Sequence, residues 1–298
     1  MIPRRTILTL VALCAAVVGL QAVQETRRPL GLPPGVTGNV LYVRSPEFMK
    51  RAALSYNALL ADAYWVRTIQ HYGGTKLAND AHKQYDLLYP LLDLTTTLDL
   101  YFDIAYGFGA VFLAEQYPSG PGRPDQAIAL LQKGLHAQPG KWRFAEDIGF
   151  VYYWWERDYT KAAEWFNRAS EMPGAPNWMK PMAAVTLAQG GNRASSRMLW
   201  TQVLNAADAD WLRQQAKFRL AQLDAMDQIA ALDSVIEAYR SRTGSAPQAW
   251  ADLVRAGLLR GAPIDPAGRL YRIDPSSGKV TLAPDSPLNP LPDPERPA

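Results

Sequence analysis

Residues 141–173 read KWRFAEDIGFVYYWWERDYTKAAEWFNRASEMP. Ala145, Ile148, Gly149 and Tyr152 fall at i, i+3, i+4 and i+7, and so do Ala162, Trp165, Phe166 and Ala169. Each set draws one apolar stripe along a short helix. The charged triplet Glu156-Arg157-Asp158 between them predicts a polar turn. Small Gly149 and Ala162 let two helix axes approach, while Tyr152 and Phe166 fill the space beside them. The stretch is therefore an antiparallel helix pair.

The pair recurs. Ala162, Phe166 and Ala169 have counterparts 35 residues earlier in Ala127, Leu131 and Gly134. Others lie 34 residues later in Ser196, Trp200 and Val203. First-helix stripes precede both sets: Ala105, Phe108, Gly109 and Phe112 upstream, and Ala183, Ala184 and Leu187 downstream. Helix pairs at a period near 34 residues resemble tetratricopeptide repeats. The resemblance covers residues 101–139, 141–173 and 178–206, with Pro139 and Pro173 at repeat ends. The first repeat departs from the pattern by an insertion at 117–124, the second by one extra residue in its turn, and the third by Ala184 and Pro181 in its first helix. In that family the first helix of each repeat lines an inner groove. The resemblance implies a partner-binding groove built on Phe150, Tyr153 and Trp154, with Arg143 and Glu146 beside them. Its matching positions are Asp103, Tyr106, Ala110 and Leu113 before, and Val185, Ala188 and Gln189 after. The implied occupant is a protein or peptide segment.

The chain has 298 residues, 48% apolar and 20% charged, the balance of a folded protein. A net charge of +3 without a Lys/Arg cluster offers no track for nucleic acid. The amino end differs from the rest. Arg4-Arg5 precede Thr6–Val23, which carries no charge. Eighteen helical residues span about 27 Å, near the hydrocarbon thickness of a bilayer. An uncleaved inner-membrane anchor is expected, with the bulk of the chain periplasmic. The alternative, a cleaved signal, requires small residues where Leu20 stands. Cys14 is the sole cysteine and lies in this run, which leaves no thiol chemistry elsewhere.

Along the chain, the Gly31-Leu-Pro-Pro-Gly35 run predicts an extended tether over 24–46. Ser45-Pro46 predicts a helix start, with that helix running until Gly73-Gly74. A second helix is expected from Asp80 to Leu98, with a kink at Pro90. Asp208–Arg242 reads as one long or kinked helix, or a helix pair, closing the array. After Thr243 the texture changes to a short helix, Trp250–Leu259, then two short strands, Leu270–Ile273 and Lys279–Leu282. The spacing of Gly244, Pro247, Trp250, Gly257, Pro263, Asp265, Pro266, Gly268 and Gly278 resembles the carboxyl-terminal portion of the major pseudopilins of type II secretion. The Pro-rich end predicts a disordered tail. The expected fold class is all-α: a tetratricopeptide-like solenoid of helical hairpins over 47–242, with a transmembrane helix within 1–23. A small helix-plus-β-hairpin module over 243–283 and a tail over 284–298 complete it.

Catalytic signals are sparse. His71, His82 and His136 show no metal-ligand spacing, so no metal and no cofactor are expected. The insertion at 117–124 has glycines, but its prolines remove amide donors that would cradle phosphate. No nucleophile elbow is present. The expected function is a non-catalytic, membrane-anchored scaffold supporting an envelope, secretion or pilus-type complex. An alternative is a glycan- or cell-wall-binding protein or hydrolase, with the aromatics around Trp154 stacking on sugars and Glu146 or Asp147 near the bond.

Overall fold

The computed structural model describes residues 45–79, 82–274 and 277–292, together with Ala15, Ala16, Val18 and Gly19, which are helical. The expected anchor and the tether otherwise lie outside the described residues. Among the described residues, no helix is long and apolar enough to cross a membrane.

The fold is all-α. In chain order the helices are α1 (Pro46–Ala52), α2 (Asn57–Leu77), α3 (Leu88–Leu98), α4 (Asp103–Ala114), α5 (Pro124–Ala137) and α6 (Trp142–Val151). A π-helical turn, Tyr152–Glu156, extends α6. There follow α7 (Tyr159–Ser170), α8 (Met179–Gln189), α9 (Arg193–Ala206), α10 (Asp210–Thr243) and α11 (Trp250–Arg255). Two-residue strands β1 (Arg272–Ile273) and β2 (Val280–Thr281) pair antiparallel. From α2 to α10, packing is serial: helices meet mainly their neighbours in sequence.

Small-against-large contacts set the hairpins. A methyl added at Gly149 would sit 2.5 Å from the Phe166 ring, and one at Gly109 would sit 2.5 Å from Leu92 and 2.9 Å from Leu130. Ala127, Ala162 and Ser196 are all fully buried on the second helix of their pairs. In the third pair the Ser196 hydroxyl donates to the Ala184 carbonyl at 2.7 Å, which satisfies it across the hairpin. The turns are capped as their residues dictate. Asp158 accepts from the Lys161 amide at 3.0 Å, and Asn192 from that of Ser195 at 3.1 Å.

Several expectations fail for physical reasons. The first helix is broken at Leu54 and Ser55, both at positive φ, into α1 and α2. Gly73-Gly74 do not stop α2. The helix runs on through them to Leu77, and beyond them the Lys76 ammonium reaches Glu115 at 2.7 Å. The next helix begins at Leu88, because the buried Tyr85 reaches across the core to donate to the carbonyls of Pro118 and Ser119 at 2.9 and 3.0 Å. Pro90 therefore falls in the first turn, where a missing N–H is harmless. In the core stripes, Phe108 is exposed rather than packed. Tyr152 and Trp165 lie half-buried at the rim beneath Lys161 and Arg168. Ile148 and Phe166 are buried as their stripes predict, and Phe144 joins them in the core.

The long helix α10 is single. The carboxyl end is also more ordered than its composition predicts. Residues 284–292, expected to be a free tail, dock against α10 and bury Leu288. The Gln222 amide donates to the carbonyls of Leu288 and Pro290 at 2.7 and 2.9 Å. Ser286 donates to the buried Asp265 at 2.5 Å. Prolines lack the amides that a buried strand must satisfy, so a few side-chain donors suffice to hold them. Gln222→Leu removes both donors within a buried site. It lowers stability by about 1–3 kcal/mol, read as a shift of the urea midpoint at constant slope.

Candidate functional site

Helices α2, α4 and α6 are the first members of successive pairs and lie side by side. Phe112 on α4 stacks on Tyr72 of α2 at 4.2 Å and on Trp65 at 6.1 Å. On the opposite flank of α4, Gly107 meets the Asp147 carboxylate of α6, 3.5 Å from where a Cβ would lie. Between those flanks the helical period places Ile104, Phe108 and Val111. They are 54%, 58% and 47% exposed. Across α2, Leu59, Val66 and Ile69 are exposed as well. Ile104, Phe108 and Val111 form an apolar stripe along α4.

The six residues inferred for the groove divide. Tyr106 is not on any surface. It is 0% exposed, its ring lies 5.1 Å from that of Phe144, and its hydroxyl donates to the Thr96 carbonyl at 3.3 Å. Burial pushes its phenol up to about 12. Tyr153 is buried too, and its hydroxyl donates to Gln189 at 2.8 Å. The family spacing put both one helical step off the outer face, because buried Ala110 and Leu113 share the Tyr106 side of α4. Gln189 and Ala188 are likewise buried. Phe150 is half-buried and packs edge-on against Phe166 at 5.1 Å. Arg143 is exposed and stacks on Trp142 at 5.3 Å. Glu146 is half-buried, and Trp154 is 42% exposed.

Carboxylates on this face behave differently from one another. Burial, reinforced by the Glu146 charge and opposed by Arg143, raises Asp147 to about 7. Burial also raises Glu146, against the pull of Arg143. Asp103 is the contrast. Burial would raise it, but hydrogen bonds from Lys141 and Gln138 hold it below the usual carboxylate range. Among the described residues, no group of three or more His, Cys, Asp or Glu is placed to hold a metal ion.

The loop after α4 adds a second feature. Its amides turn back on the helix end, Gly122 to Glu115 at 2.8 Å and Arg123 to Leu113 at 2.7 Å. Across from it, the π turn carries Trp154 and Trp155. Between loop and turn lies an open cleft of about 560 Å³ lined by Glu115, Gln116, Tyr117, Ser119, Trp154 and Trp155.

No family model, curated protein or solved structure matches this chain. The site is accordingly read from its own chemistry.

Neither the stripe nor the cleft is prominent in the sequence. Ile104, Phe108 and Val111 do repeat at i, i+4 and i+7, but Ala105, Gly109 and Phe112 repeat beside them. A helix apolar on nearly every side does not announce which face is left uncovered.

Proposed function

We propose that this protein is a non-catalytic, tetratricopeptide-repeat-like scaffold. It holds a protein or peptide segment along the outer face of α2, α4 and α6. The observation that carries the reading is the stripe of Ile104, Phe108 and Val111, three large apolar side chains left exposed on one helix. Exposed apolar surface of this kind on a packed array marks an interaction site. The serial hairpins supply a long rigid support, which suits binding extended partners. The uncharged run 6–23 then serves as an inner-membrane anchor that presents the array in the periplasm, where it supports assembly of an envelope, secretion or pilus-type complex.

A photo-crosslinking amino acid at Phe108 tests this in intact cells. A discrete adduct with a protein is expected there and not at exposed Met198, on the distant α9. Val111→Asp should abolish the adduct, since a charge on the stripe must be desolvated by the partner. No adduct at Phe108, or one that survives Val111→Asp, removes the reading.

One observation favours a second reading, a protein acting on cell-wall glycans. A half-buried carboxyl near 7, as at Asp147, is the state of a general acid at neutral pH. Turnover of wall material that disappears in Asp147→Asn, with the fold intact, would select it over the scaffold.

A further inference from the structure

The cleft between the 115–123 loop and the π turn has two fixed walls. On the loop side, Tyr85 donates to the carbonyls of Pro118 and Ser119, and the Tyr117 hydroxyl accepts from the Lys83 amide at 3.2 Å. Gly120 packs so closely on Glu115 that an added Cβ would lie 2.5 Å from its carbonyl oxygen. On the turn side, Trp154 rests edge-on against Tyr153 at 5.0 Å, and Tyr153 is itself tied to Gln189. A slot held from behind on both sides loses little freedom when it is filled.

Its chemistry is selective. The one charged group in the lining, Glu115, is already matched by Lys76 at 2.7 Å and by the Tyr72 hydroxyl. The cleft thus asks for an uncharged occupant. The walls are aromatic: Tyr117, Trp154 and Trp155. Among the described residues, no acceptor meets either indole N–H, and the side chains of Gln116 and Ser119 make no hydrogen bond. The two indoles offer donors only, whereas Gln116 and Ser119 can donate or accept. A polyproline II segment brings flat apolar rings and solvated carbonyl acceptors, and proline has no N–H to satisfy.

We propose that this cleft binds a neutral, proline-rich peptide in the extended polyproline II form, with Trp154 and Trp155 stacking on prolines and donating to peptide carbonyls. Aromatic slots recognise such segments because the peptide is already ordered before it binds. The cleft is a separate surface from the stripe of Ile104, Phe108 and Val111, and the proposal stands without it.

The test is tryptophan fluorescence of the full-length protein titrated with nonaproline, a Gly-Ser nonapeptide and chitotriose. Saturable quenching by nonaproline alone is expected. Trp154→Ala should weaken it about tenfold or more. Trp154→Phe, which keeps the ring and loses the donor, should fall between. Phe108→Asp should leave it unchanged, so the cleft and the stripe fail or succeed separately. Trp154 is exposed, so its variants are expected to fold, and circular dichroism checks this. No saturation by nonaproline at millimolar concentration, equal binding by Trp154→Ala, or tighter binding of chitotriose overturns the proposal.

Discussion

Truncating Phe166 to alanine lowers the unfolding free energy by about 3–5 kcal/mol, one of the two largest effects expected from a single change in this chain. Phe166 is fully buried, and its ring lies against the bare backbone of Gly149 on the facing helix. Ala162, Ala163 and Ala169 are buried on the same helix, so only the half-buried ring of Phe150 could move toward the space. The lost transfer energy and the residual cavity therefore add. The reciprocal change, Gly149→Ala, forces a methyl into the ring and costs about 1–3 kcal/mol. The two sites must couple. Gly149→Ala combined with Phe166→Leu should cost measurably less than the sum of the single changes, by more than about 0.5 kcal/mol. Urea denaturation followed by far-UV circular dichroism measures all four proteins. Additive costs would mean that the hairpin is not closed by this contact.

Asp147→Asn should act in the opposite direction, with an effect that grows as pH rises above about 4 and is complete above about 7. The carboxyl of Asp147 ordinarily titrates at 3.8 and is held at about 7 in the fold, chiefly by burial. Between those values the folded protein keeps a proton that the unfolded chain has released. Stability therefore falls as pH rises from about 4 to about 7, and the full cost is present above 7. At about 1.4 kcal/mol per unit, removing the charge should raise stability at pH 8 by roughly 2–4 kcal/mol. At pH 4 the two proteins should be nearly equal, since both then hold a neutral group. Thermal melts of wild type and variant across this range give the answer. A constant difference at every pH would show that Asp147 is not paying for its charge.

The fold is legible in the sequence where one face of a helix is unambiguous. The spacing of Ala127, Ala162 and Ser196 survives translation into structure because a small residue at a close crossing has no alternative position. The same reasoning misplaces Phe108, since α4 is apolar on nearly every side and periodicity cannot choose among its faces. It misplaces Tyr106 and Tyr153 because a tyrosine with a partner for its hydroxyl is as content inside as outside. Here the partners, Thr96 and Gln189, lie 10 and 36 residues away and carry no local signal. The docked segment 284–292 escapes notice for a related reason. Its proline content reads as disorder, while the amide of Gln222 that receives it lies in the middle of a distant helix.

Helix α10 runs without interruption for 34 residues, about 50 Å of rod. Leu212, Ala216 and Leu223 belong to the interior of the hairpin array, whereas Ala225, Leu232 and Ile236 belong to the interior shared with the carboxyl-terminal strands and tail. The changeover takes two residues within continuous helix, and Arg197 of α9 braces it by pairing with Asp224 at 2.5 Å and Asp227 at 2.7 Å. No scission point therefore separates the halves of this molecule. A cut anywhere along the rod would hand each fragment a splinter whose greasy edge had lost its cover.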